Sequence, residues 1–149
     1  MSPLAYVGLG ANLGDREAAI RRAVELLGAG RLSTLRETEP WGYADQPCFL
    51  NAVAELETEE EPRALLERLL AIERELGRLR AGPRYGPRTI DLDLLLYGDL
   101  ELDEPGLTVP HPLLHEREFV LEPLAELAPE LVVPGRGPVK ALLSRLQSG

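Results

Sequence analysis

"FLNAVAELE" (49–57) decides the fold, because it alternates without a break. Leu50, Ala52, Ala54 and Leu56 fall on one side of an extended chain, and Phe49, Asn51, Val53 and Glu55 on the other. Side chains at i and i+2 share a face of a strand. The segment therefore reads as a strand with one side on a core and the other turned outward.

Toward the N-terminus, residues 4–12 read as a buried strand that runs into "GANLGD" (10–15). Asp15 suits a helix cap, Ile20, Val24 and Leu27 form an apolar stripe, and Gly28 stops the helix. A strand is expected at 31–39, followed by the turn-rich loop "PWGYADQP" (40–47). Toward the C-terminus, Pro62 opens a helix at a favoured first-turn position. Its stripe is Leu65, Leu69, Ile72 and Leu76, and Gly77 ends it. A strand at 89–97, a Pro-rich link, a short helix near 113–127 and another from 138 to 147 complete the chain. The order strand–helix–strand–strand–helix–strand predicts an α+β fold, a ferredoxin-like α/β sandwich with a mainly antiparallel sheet. Helices on one face would leave the other free for a site. Residues 1–149 read as a single domain.

The net charge of −9 argues against a nucleic-acid or anionic-membrane surface. No apolar run reaches the roughly 18–20 residues of a membrane span, and the N-terminus lacks the pattern of a signal peptide. Cys48 is the only cysteine, so no intrachain disulfide can form. A cytoplasmic protein is expected. The charge is nevertheless uneven: residues 74–88 hold Arg74, Arg78, Arg80, Arg84 and Arg88 against Glu75 alone. Such a basic island suits a compact polyanion better than a long duplex, although a solvated helix end and loop would read the same.

Just beyond it, "RYGPRTIDLDLLLYG" (84–98) sets Asp91 and Asp93 inside a leucine run. On a strand the two carboxylates point together, while Ile90, Leu92, Leu94 and Leu96 point into the core. Adjacent carboxylates repel and lose hydration when enclosed. A divalent cation relieves both costs, and hard oxygen ligands suit Mg²⁺. A bare D-x-D is more often a half-solvated strand with a polar outer face. Arg88 and the preceding arginines add phosphate-binding guanidiniums, and together these are the parts of phosphoryl transfer.

Other phosphate-binding patterns fit poorly. In "GLGANLG" (8–14) the third glycine comes one place late for G-x-G-x-x-G, and no Gly-Lys-Ser/Thr exists for a P-loop. His111 lies between Pro110 and Pro112, which restricts its backbone and suits a fixed imidazole; His115 reads as a surface residue. Phe49 and Asn51 share a strand face and could stack on and hydrogen-bond a flat heterocycle. Ordinary edge packing accounts for them equally well.

Taken together, the chain resembles the 6-hydroxymethyl-7,8-dihydropterin pyrophosphokinases of folate biosynthesis. "RYGPRTIDLDLL" (84–95) is the most specific match, and "GLGANLGD", "DQPCFLNAV", "ERELGR" and "LTVPHPLLHEREFVLEPL" follow the family's order and spacing. The resemblance implies that ATP passes its β,γ-diphosphoryl group to the pterin's hydroxymethyl oxygen, releasing AMP. Asp91 and Asp93 would bind two Mg²⁺. Arg78 and Arg88 would hold phosphate oxygens, with Arg80 and Arg84 nearby, and His111 and Arg117 would contact the triphosphate. Phe49 and Phe119 would sandwich the pterin and Asn51 would bond its edge. The backbone around Thr38, Trp41 and Gly42 would complete that recognition, Tyr85 could cover the site, and Asn12 would support the pocket. Leu113 and Ala81 depart from basic residues found in relatives, and Phe49 and Tyr85 replace a Tyr and a Trp. The expected partners are these two small molecules alone, with no nucleic acid or membrane, and the expected state is a monomer. Two rivals stand beside this reading: a non-catalytic ligand-binding module of the same fold, and a metal-dependent phosphodiesterase or nuclease.

Overall fold

The computed structural model describes residues 3–11, 15–38, 49–78 and 90–148, and at Arg78 the backbone only. Strand β1 (Leu4–Ala11) leads into helix α1 (Arg16–Leu27), short strands β2 (Arg31–Leu32) and β3 (Arg36–Thr38), and strand β4 (Phe49–Glu57). Helix α2 (Pro62–Arg78) and strand β5 (Asp91–Tyr97) follow. The sheet runs β2–β4–β1–β5, β3 also pairs with β4, and every pairing is antiparallel. That is the expected ferredoxin-like sheet, with β4 inserted between β2 and β1.

Local chemistry explains the elements. Asp15 caps α1 by accepting the Ala18 N–H at 3.1 Å. Gly28 ends it in the left-handed region at φ 75°, donating to the Val24 and Glu25 carbonyls. Arg68 of α2 donates to the Leu26 and Leu27 carbonyls at 3.3 and 2.9 Å while Glu60 holds its other face. One guanidinium thus satisfies the end of α1 and locks the two helices together. Leu65, Leu69, Ile72 and Leu76 are all buried, as their spacing predicts, but α2 runs past Gly77 to Arg78.

The strand expected at 31–39 is interrupted. At the break, Ser33 donates its N–H to the Val53 carbonyl, and its Oγ accepts the Val53 N–H at 2.9 Å. A side-chain oxygen replaces a backbone acceptor, so the ladder can break without leaving a buried N–H unpaired.

The second face of the sheet is not free, which corrects the expectation. A 3-10 turn (Leu114–Glu116), helix α3 (Glu118–Leu127) and helix α4 (Val139–Ser148) cover part of it. The helix expected over 113–127 is thus divided at Arg117, whose extended backbone separates turn from helix. The hairpin of β6 (Leu102–Glu104) with β7 (Leu107–Val109) fills what read as a Pro-rich link, and a second, β8 (Val132–Val133) with β9 (Gly137–Pro138), joins α3 to α4.

Two core clusters therefore sandwich the sheet. Ala5, Val7, Leu9, Ala54, Leu56, Leu92 and Leu94 pack on α1 and α2. Tyr6, Val53, Leu95 and Leu96 pack on α3 and α4. Leu96 lies in the second cluster, not the first as alternation predicts. The pairing jumps from Val7↔Leu94 to Tyr6↔Leu96; this bulge adds one residue and reverses the side-chain parity. Val53 is likewise buried where an outward position was expected.

Candidate active site

Beyond α3 and α4, the end of the second face that carries the candidate residues is built by strand register. Gly8 stands opposite Val53 on β4 and Asp93 on β5; Gly10 stands opposite Asn51 and Asp91. Asp91, Asp93, Asn51 and Phe49 thus share one face, and the strand between them contributes hydrogen atoms instead of side chains. The clearance at Gly10 is needed. A Cβ there would lie 2.9 Å from Asn51 Oδ1 and 3.9 Å from Phe49 Cδ1. Sequence reading weighed these glycines as a phosphate loop and missed their role as the floor of a trough. Their spacing of two inside a strand was the available signal.

Asp91 is half-buried and Asp93 exposed. The backbone between them is fixed from the side: Leu92 N–H, on the edge strand of the described sheet, donates to Glu73 Oε2 at 2.6 Å. Glu73 belongs to the matched "ERELGR" and flanks the buried stripe of α2, but its role was not foreseen. Across the trough, Asn51 Nδ2 donates to Thr38 Oγ1 at 2.5 Å. Among the described residues neither Asn51 Oδ1 nor the Thr38 hydroxyl proton has a further hydrogen-bond partner, so both can serve a ligand.

His111 is held at both backbone and ring. Its N–H donates to the Leu95 carbonyl at 2.9 Å, and its Nδ1 accepts the Leu113 N–H at 3.1 Å. An accepting Nδ1 places the proton on Nε2, so the ring presents a donor. Burial pushes its pKa below the ordinary value, Arg117 adds to the fall, and Asp93 opposes it. The ring is therefore a neutral donor beside a carboxylate. Asp93 and His111 line one cleft of about 270 Å³ with Leu66, Leu92, Leu94, Leu107 and Thr108. The hairpin β6–β7 supplies one wall of it, and Thr108 is a further polar group that sequence reading did not single out.

Phe119 lies on the first turn of α3, half-buried against the second cluster. The Arg117 guanidinium sits 5.6 Å from its ring centroid, within cation–π range. His115, expected at the surface, is half-buried and lies 3.5 Å from Glu116.

The structure thus brings together Asp91, Asp93, Asn51, Thr38 and Phe49 on the sheet, His111 with Asp93, and Arg117 with Phe119. Asn12, Trp41, Gly42, Arg80, Arg84, Tyr85 and Arg88 lie outside the described residues, as does the side chain of Arg78. Among the described residues no group of three or more His, Cys, Asp or Glu side chains could hold a metal ion. Two carboxylates on one face nevertheless fit Mg²⁺, which commonly takes one or two protein oxygens and fills its shell with water and substrate phosphates.

Known proteins match this arrangement in sequence and in shape. Residues 6–129 match the family model of 7,8-dihydro-6-hydroxymethylpterin-pyrophosphokinase. A 2-amino-4-hydroxy-6-hydroxymethyldihydropteridine pyrophosphokinase of Methylorubrum extorquens is 45% identical over 152 residues, covering 97% of this chain and 95% of the relative. The protein of the same name from Pseudomonas aeruginosa is 50% identical over 135 residues, covering 87% and 83%. Among solved structures, wild-type HPPK-DHPS of Plasmodium falciparum superposes with a TM-score of 0.76 at 14% identity. That match covers 99% of this chain but 42% of the larger one, and it speaks to the fold. The chain belongs to the 7,8-dihydro-6-hydroxymethylpterin-pyrophosphokinase family.

Proposed function

We propose that this chain carries out its family's reaction, transfer of the β,γ-diphosphoryl group of ATP to the hydroxymethyl oxygen of 6-hydroxymethyl-7,8-dihydropterin with release of AMP, in the trough between Asn51 and Asp91. The observation that carries the site is the register: Asn51, Gly10 and Asp91 lie in one cross-strand row. Strands two apart are separated by roughly 10 Å. A flat ring can lie over Gly10 with its edge on Asn51 and its hydroxymethyl group toward the aspartates.

Each half of the site has its own task. Phe49 and Phe119 supply aromatic faces for the pterin, Asn51 Oδ1 accepts from its ring edge, and Thr38 holds the Asn51 amide in place. Trp41, Gly42, Tyr85 and Asn12 are assigned to the same pocket by their motif positions. The cleft beside His111 takes the nucleotide: Leu66, Leu92, Leu94 and Leu107 suit a base, and the His111 Nε2–H suits a phosphate oxygen. Arg117, Arg78, Arg80, Arg84 and Arg88 are assigned to phosphate oxygens.

In the reaction the pterin hydroxyl oxygen bonds to the β-phosphorus, the bond from that phosphorus to the AMP oxygen breaks, and the hydroxyl proton is released. No protein nucleophile is required. Alignment of the two substrates and stabilisation of spreading negative charge supply the rate. Asp91 and Asp93 would hold two Mg²⁺, which when bound offset charge on the phosphates. The same reading takes residues 1–149 as one domain acting as a cytoplasmic monomer. No described helix is long and apolar enough to cross a membrane, and the lone Cys48 suits a reducing compartment.

The test is AMP release from ATP and Mg²⁺ with and without the pterin. The expected result is pterin-dependent AMP, abolished by EDTA, and lowered about 10²-fold or more by Asp91→Asn or Asp93→Asn with the melting temperature kept. Formation of ADP or inorganic phosphate, or full activity in both variants, would overturn it.

A further inference from the structure

Arg36 lies outside every motif that marks the site, yet its contacts reach both walls of it. It is the first residue of β3 and pairs in register with Asn51. Its side chain leaves the sheet and spans to α3. There Nη1 donates to Glu122 Oε2 at 3.0 Å and Nη2 to Glu126 Oε1 at 3.2 Å. Glu126 is gripped a second time, because its Oε2 accepts both the N–H and the hydroxyl of Thr34 at 2.9 Å.

The helix positions give these contacts their consequence. Phe119, Glu122 and Glu126 stand at i, i+3 and i+7, on one side of α3. The side of the helix that carries Phe119 is therefore the side tied to the sheet. On the sheet, the tie enters at the strand that also carries Thr38, two residues beyond Arg36 and bonded to Asn51. The guanidinium is half-exposed, but its Nε is enclosed and without a hydrogen-bond partner among the described residues.

We infer that Arg36 is a positioning residue for pterin binding, fixing the separation between Phe119 on α3 and the Thr38–Asn51–Phe49 wall through its bridge to Glu122 and Glu126. This rests on the reading of those four residues as the pterin pocket. Misplacement of a binding wall by about 1 Å can cost up to about 100-fold, and a partial loosening costs less. The nucleotide cleft does not include Arg36, Glu122 or Glu126, and Arg117, assigned to phosphate, precedes the first turn of α3, so the effect falls first on the pterin.

Steady-state kinetics on Arg36→Met, Glu122→Gln and Phe119→Ala, each with its melting temperature, test the idea. Arg36→Met is expected to raise the pterin KM about tenfold, leaving the ATP KM and the kcat at saturating pterin within about twofold. Glu122→Gln should move the pterin KM in the same direction by less, and the exchange Arg36→Glu with Glu122→Arg should recover part of the loss. In a Phe119→Ala background, Arg36→Met should add little. A pterin KM unchanged in both Arg36→Met and Glu122→Gln, or equal changes in both KM values and kcat, would overturn the positioning role. An unchanged pterin KM in Phe119→Ala would overturn the pocket reading, and the positioning role with it.

Discussion

Gly10→Ala should impair pterin binding and leave the fold intact. Gly10 is not among the glycines with positive φ, so alanine meets no backbone strain there. In a strand, alanine gains roughly 0.5–1 kcal/mol over glycine from lower unfolded-chain entropy. The new Cβ, however, would stand 2.9 Å from Asn51 Oδ1. A comfortable C···O approach is about 3.3–3.6 Å, so the oxygen must retreat by roughly half an ångström. The amide is tethered at its other end by the 2.5 Å bond to Thr38, and it can retreat only by rotating out of the plane that serves the ligand. Losing one hydrogen bond of about 0.5–1.5 kcal/mol raises KM about 2–12-fold. The assay is the pterin KM of Gly10→Ala, Asn51→Ala and the double variant, with thermal melts of each. With Asn51 truncated the added methyl has nothing to displace, so the double variant should match Asn51→Ala, a non-additive cycle. A pterin KM within twofold of the parent in Gly10→Ala, or effects that multiply in the double variant, would refute the reasoning.

Removal of the Glu73 carboxylate should loosen the strand that carries the aspartates: Glu73→Ala leaves Leu92 N–H without its acceptor, at a cost of about 1–3 kcal/mol. Calorimetry should show a melting temperature lowered by several degrees and AMP formation should fall further than the folded fraction does, whereas Glu73→Gln, which keeps an acceptor oxygen, should recover most of both. The Thr34–Glu126–Arg36 junction predicts an acid limb. Burial alone would raise the Glu126 pKa, but the Thr34 and Arg36 hydrogen bonds outweigh it and hold the group below 4.5. A carboxylate with a depressed folded pKa stabilises above its unfolded pKa and loses that effect as pH falls through the folded value. The melting-temperature gap between the parent and Glu126→Gln should therefore be widest at neutral pH and close below pH 4.5; a gap constant across that range would contradict the assignment.

Local periodicity made most of the architecture legible. The alternation of residues 49–57, the stripe Leu65–Leu69–Ile72–Leu76, the Asp15 cap and the Gly28 stop each depend on neighbours within a few residues. What the sequence hid was non-local. The Arg36–Glu122 and Arg36–Glu126 bridges join residues 86 and 90 positions apart, and the Leu92–Glu73 bond spans 19. No window on the chain contains both partners. The two C-terminal helices were expected, but their packing on the second face was hidden for a related reason: Val53 and Tyr6 alternate toward the outer side, and only the tertiary partner α3 makes that side a core. Within the site, Asp91, Asp93, Asn51 and Phe49 were readable because a charge, an amide or an aromatic stands out on a strand face. Gly8 and Gly10 were not, since their contribution is absent volume.

The bulge at β5 links the two outcomes. Asp91, Asp93 and Leu95 follow each other on one face of the strand, so its first half offers carboxylates and its second half enters a core. Leu95 packs over Gly8, where a Cβ would lie 3.4 Å from a Leu95 methyl, an ordinary contact. The added residue then turns Leu96 to the same side, and two consecutive leucines anchor β5 in the second cluster. A slip of one residue would pull both leucines out of register and send both aspartates into the cluster under α1 and α2. That carries the cost of burying two carboxylates in an apolar core. The apolar end of the strand therefore fixes the polar end. The leucine run that made two aspartates look out of place is what holds them on the outer face.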